Sequence, residues 1–170
     1  MACLLTAGIA KACKDGIGGV TELYLANHEL ITAKTLGSED VITGLTATGT
    51  PFFKFAARKE QISFEDKIVT SDENGTTYNE GTINYPLTKI DKDKRLQVGL
   101  IAVSDMIAIV KDGNNIYHYF GDVNGVVLSE GTATSGKAFG DKNGYDLTLM
   151  AKEPVAPYII DYAAFSSLIG

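Results

Sequence analysis

The sequence predicts a mainly β protein with one flanking helix, and three observations lead there. Short runs in which apolar and polar residues alternate recur along the chain, the period-two pattern of half-buried strands. The 18 glycines stand against only 4 prolines, which suits a chain with many tight turns between short strands. One longer stretch, residues 88–103, carries instead the 3.6-residue period of an amphipathic helix.

Taken in order, residues 1–19 are rich in small side chains and read as an N-terminal arm that ends in the flexible Gly16-Ile17-Gly18-Gly19. Residues 20–26 alternate Leu23 and Leu25 against Glu22 and Tyr24 as a first strand. A further strand is expected at 41–45, and Phe52, Phe53 and Phe55 read as core packing. Residues 61–69 form a strand with Ile62 and Phe64 on one face, and 71–81 read as a polar loop tipping a hairpin. A short extended piece, 82–85, meets Pro86, which disfavours helix at the residue before it.

The helix is expected to follow that proline. Thr88 stands three residues before Asp91 as a relaxed capping box, and Asp91 and Asp93 sit where the helix dipole favours acids. Leu96, Leu100 and Val103 then mark its apolar face. Gly99 weakens the helix by about 1 kcal/mol relative to alanine. Strands are expected at 106–110 and 116–120 around a turn at 111–115, then at 126–128 and 145–150, with a glycine-rich connection at 131–140. Residues 154–170, interrupted by Pro154 and Pro157, read as a C-terminal tail with a short helix near 162–169. Its apolar residues, Ile159, Ile160, Phe165, Leu168 and Ile169, must dock on the chain's own core or on a partner.

A length of 170 residues suits a single domain, 1–170, with a core of useful size. The net charge of −6 argues against an electrostatic nucleic-acid binder. Cys3 and Cys13 admit a local disulfide or two reduced thiols of a cytoplasmic product, and the second reading is preferred. The first residues lack the basic start and long apolar run of a targeting peptide. Nothing approaches the roughly 20 apolar residues of a membrane span.

Motifs for catalysis are weak. Residues 131–137 match the first seven positions of a phosphate-binding loop, but Ala138 stands where a hydroxyl should hold magnesium. His28 and His118 are far apart, no Cys/His cluster has metal-ligand spacing, and no Gly-x-Ser-x-Gly occurs. The acid pairs Glu65/Asp66 and Glu39/Asp40 would point to opposite faces of a strand. Asp-Xaa-Asn-Gly, starting at Asp72, Asp122 and Asp141, lacks the further ligands of a calcium loop and reads as hairpin turns. No enzyme activity, cofactor, metal or small-molecule substrate is therefore expected.

Three groups of segments resemble the tail tube proteins of tailed bacteriophages, particularly phages of Bacteroidetes. The first is Cys13-Lys14-Asp15, Gly18-Gly19-Val20 and Leu23-Tyr24-Leu25-Ala26-Asn27. The second runs from Ile83-Asn84-Tyr85 through Leu96-Gln97 to Ala108-Ile109-Val110-Lys111-Asp112. The third is Ser135-Gly136-Lys137, Asn143-Gly144-Tyr145-Asp146-Leu147-Thr148-Leu149 and Lys152-Glu153-Pro154-Val155-Ala156-Pro157.

The resemblance implies a β-sandwich or barrel-like protomer with one flanking helix. It implies a virion protein whose copies form hexameric rings that join strands into an inner barrel, stack through loops and arms, and meet other phage tail proteins. DNA would cross the lumen without specific binding, and an acidic wall would repel its phosphates. Ring-to-ring contacts are expected from the N-terminal arm, the 71–81 loop and the tail, with Asn74, Gly75, Tyr78, Tyr158, Ile160 and Phe165 as contact residues. The alternatives are a head-to-tail connector or capsid-associated ring, a carbohydrate-binding β-sandwich and, last, a nucleotide-binding enzyme.

Overall fold

The computed structural model describes residues 7–11, 13–56, 58 and 60–170. In chain order these form β1 (Val20–Asn27), β2 (Ile31–Leu36), β3 (Val41–Ala47), β4 (Phe53–Phe55), β5 (Ser63–Ser71) and β6 (Thr76–Thr88). Helix α1 (Lys92–Ile101) follows, then β7 (Met106–Asp112), β8 (Tyr117–Phe120), β9 (Val126–Thr134), β10 (Gly144–Glu153), β11 (Tyr158–Ile160) and α2 (Tyr162–Phe165). The protein is mainly β. All eleven strands belong to one mixed sheet that does not close, ordered β2-β3-β11-β8-β7-β9-β10-β6-β5, with β1 pairing β7 and β4 off that path.

Strand β7 is the centre, and its sequence says why. Met106 to Val110 is buried throughout, the uninterrupted apolar run of a strand covered on both faces. Met106, Ala108 and Val110 enter one apolar cluster with Leu23, Leu25, Ile83, Tyr85, Leu147 and Leu149. Ile107 and Ile109 enter a second with Tyr24, Ile42, Tyr119, Ile160 and Phe165.

The first cluster draws on β1, β7 and β8 and also on β6, β9 and β10, so it lies between two parts of the same sheet. The link between those parts is thin: β9 meets β7 at the single pair Met106–Val126. The chain bends there at Gly121, whose φ is +85°; a side chain at this position would press 2.8 Å from the Met106 carbonyl oxygen. Only glycine suits that bend.

The tail docks on its own chain. β11 lies between β3, which it pairs in parallel, and β8, which it pairs antiparallel. It joins the β2–β3 hairpin to the rest of the sheet. Phe165 of α2 then sits at the hub of an edge-to-face aromatic group with Tyr24, Phe52, Tyr117 and Tyr162, its centroid 5.4–5.8 Å from theirs. The chain end completes the seal: the Phe52 amide donates to the Leu168 carbonyl, and the Gly170 amide to that of Phe52.

Several expectations need correction. Strand β6 runs straight through Pro86 to Thr88, because β10 pairs with it as far as Gly144–Thr88. The β5 ladder has already ended at Ser63–Asn84, so the proline lies on a flank where no amide is needed. Thr88 is therefore strand. Helix α1 is shorter than residues 88–103 and is capped by Asp91, whose carboxylate accepts the Lys94 amide at 2.9 Å.

The expected apolar face is exposed: Leu96 is 63% and Leu100 51% exposed, Val103 lies beyond the helix and is 83% exposed, and Ile101 is the residue the helix buries. The 71–81 loop shrinks to a turn at 72–75, with 76–81 belonging to β6. Of the three Asp-Xaa-Asn-Gly runs, only that at Asp72 is a tight hairpin turn. The Asp122 run links β8 to β9, which both pair with β7, and the Asp141 run closes the longer β9–β10 connection.

If Phe165 is the anchor described, Phe165→Ala should cost about 3–5 kcal/mol in chemical denaturation. Val103→Ala, at an exposed site, should stay within about 0.5 kcal/mol. Equal effects would contradict this picture of the core.

Candidate assembly surfaces

Among the described residues two long strand edges carry no partner. β5 contributes nine residues at one end of the sheet and β2 six at the other. Each presents a row of unpaired backbone donors and acceptors, which a protein must cover, blunt or join to another chain. The edges are legible only in the structure, because pairing order is a long-range property.

Beside β5 lies the β5–β6 turn, where the residues expected to make contacts are clearest. Asp72 to Gly75 are all exposed. Asn74 donates through its backbone amide and its Nδ2 to Ser71 Oγ, at 3.4 and 3.2 Å. Gly75 has φ +62° with open space where a Cβ would stand, the left-handed residue such a turn requires. Tyr78 opposes Val69 on β5 and is half-buried.

The other expected contacts lie elsewhere. Tyr158 is half-buried in β11, with the Lys34 ammonium 4.2 Å from its ring centroid. Ile160 and Phe165 are 1% and 0% exposed in the second cluster. Their side chains are spent on the chain's own core, so the surface left for contacts is the turn, Tyr78 and Tyr158.

The N-terminal arm meets the body at its end. Residues 7–11 and 13–19 are exposed and outside regular structure. Ile17 exchanges hydrogen bonds with the Asn114 side chain, and the Gly113 amide donates to the Gly19 carbonyl. Cys13 is exposed, while Cys3 lies outside the described residues.

Sequence reasoning missed a polar patch on the inner face of the sheet. Along β6 the inward residues run Tyr85, Ile83, Gly81, Asn79, from apolar to polar. Asn79 pairs across to Glu153 of β10, and Asp66 of β5 opposes Gly81. Glu153 is buried, and its carboxylate accepts the amides of Val123 and Asn124 at 2.9–3.2 Å, so it pins the β8–β9 link.

Asp66 Oδ1 and Asn79 Oδ1 are buried with no partner. Both residues line a cavity of about 10 Å3, room for about one water molecule. Burial pushes the Asp66 carboxyl up. The signal in the sequence was an acid at an inward position of a strand, which is readable only once register is known.

The catalytic motifs find no support in this geometry. Residues 131–134 are strand, and the Ala138 and Lys137 amides, which a phosphate loop would offer to a ligand, donate instead to Asp141 Oδ2, each at 2.8 Å. Among the described residues no three His, Cys, Asp or Glu side chains converge as a metal site would. Among the same residues no helix is long and apolar enough to cross a membrane. No family model, curated protein or solved structure matches the chain at a significant level.

Because a charged Asp66 is disfavoured in the fold, its penalty is full at neutral pH, shrinks as pH falls through the raised value, and vanishes below the ordinary aspartate range. Asp66→Asn removes the charge and supplies a donor. It should raise stability near pH 7 by about 1 kcal/mol in urea unfolding, with the gain over the natural chain fading toward about pH 3. A less stable variant at neutral pH would contradict the assignment.

Proposed function

We propose that this chain is a virion structural protein, the repeating subunit of a bacteriophage tail tube. The observation that carries this reading is a large sheet left unclosed, with the nine-residue edge of β5 and the six-residue edge of β2 both unpaired among the described residues. Curled over the first apolar cluster, this sheet serves as the sandwich or barrel-like protomer of that family. Edge-to-edge pairing between copies satisfies the open backbone groups and closes a ring.

The apolar stripe on α1 supports the same reading. Leu100, 51% exposed, lines a cleft with Phe53, Phe55 and Met106, and Phe53 is itself 59% exposed. Exposed apolar side chains brought together in this way suit a contact with another protein. Rings stacked in a virion tail, with further tail proteins at the ends, give these surfaces partners. The acidic balance of the chain suits a wall that DNA passes without sticking.

Sedimentation velocity of the purified full-length protein should show hexamers and larger species that grow with concentration. A single-chain species at every accessible concentration would overturn the proposal.

A further inference from the structure

The acidic total conceals an uneven distribution along the long strands. At the end of β6, where the chain leaves Thr88, lies an open groove of about 1000 Å3. Four cations line it, Arg58, Lys89, Lys94 and Lys142, against two carboxylates, Asp141 and Asp146. Both acids already have donors: Asp146 pairs with Lys142, and Asp141 holds the Lys137 and Ala138 amides. Lys94 is tied to Asp91 and to the Thr88 and Lys89 carbonyls. Among the described residues Arg58 and Lys89 have no acidic partner, since neither joins any of the ion pairs.

Lys89 is held in place by its backbone. Its φ is +64°, uncommon for a residue with a side chain. Asn143 clamps it there, accepting the Lys89 amide on its carbonyl at 2.6 Å and the Ile90 amide on Oδ1 at 3.0 Å.

At the other end of β6 is the opposite charge. The β5–β6 turn carries Asp72 and Glu73 side by side and exposed, with no lysine or arginine anywhere in residues 68–88. Strand β6 is 13 residues long, so turn and groove lie roughly 40 Å apart. They cannot meet within one molecule.

We infer that the groove lined by Arg58, Lys89, Lys94 and Lys142 receives the Asp72–Glu73 turn of a second copy. This rests on the self-assembly reading and names the surfaces that join one ring to the next. Two different patches at opposite ends make a head-to-tail contact, which repeats in one direction instead of closing on itself as a two-fold dimer does. Charge complementarity fixes the polarity of stacking, because turn against turn or groove against groove sets like charges together. A nucleic acid fits the groove less well: Asp141 and Asp146 stand on its wall, and the chain as a whole is acidic.

Charge reversal on the full chain tests this, followed by sedimentation velocity and electron microscopy, with circular dichroism to confirm folding. Asp72→Lys with Glu73→Lys, and separately Lys89→Glu with Lys142→Glu, should each leave rings intact and raise the concentration needed for stacking by about tenfold or more. Combining both reversals should restore stacking, and the milder Asp72→Asn with Glu73→Gln should weaken it less than reversal does. Stacking by the turn-reversed chain at the natural concentration would overturn the inference and leave the tail tube reading standing. Loss of stacking from the groove variant alone would overturn it by giving the groove another anionic partner. A natural chain that forms no rings would overturn both.

Discussion

The insertion of β11 between β3 and β8 is the interaction on which the rest of the structure depends. Three residues near the C-terminus supply the parallel ladder that holds the β2–β3 hairpin and the antiparallel ladder to the central strands. Without them the hairpin has no place in the sheet, and the second cluster, which draws on Ile42, Ile160 and Phe165 together, loses its walls. Short strands add little by ladder alone. The Phe165 side chain and the backbone bonds from Phe52 to the last residues secure this one.

That arrangement settles where the apolar surface goes. The tail buries Ile160, Ala164 and Phe165 in the chain's own core and leaves Ile159 and Tyr162 exposed. Also outside are Leu96 and Leu100 of α1, Phe53, two strand edges, and a charged turn at the opposite end of β6 from a basic groove. A lone globular protein hides or blunts features of this kind. Their coexistence on one chain is what motivates the proposed contact between copies, strand edges laterally and charged ends axially.

Local pattern made much of the fold legible. Alternation located β1, β5 and β10, and an unbroken apolar run located β7, since strand period and two-sided burial are written in adjacent residues. The reading failed where long-range pairing outweighed local preference. Pro86 breaks a helix or a central ladder, but here one flank of β6 was already unpaired, so the strand continued and the cap moved from Thr88 to Asp91. Leu96 and Leu100 share one face of α1, yet periodicity does not say whether a face meets its own core or solvent.

The candidate surfaces divide in the same way. Asn74 and Gly75 were legible because turn chemistry is local. Ile160 and Phe165 were legible as apolar residues needing cover, but only the fold shows that the chain covers them itself. The groove was invisible, because Arg58, Lys89 and Lys142 come together only through the pairing of β6 with both β5 and β10.

Electron microscopy of the purified, full-length natural protein tests the central claim most directly. Hollow tubes or stacked rings with six-fold symmetry are the result this account predicts. Single-chain particles at high concentration, with no ring of any kind, would contradict it.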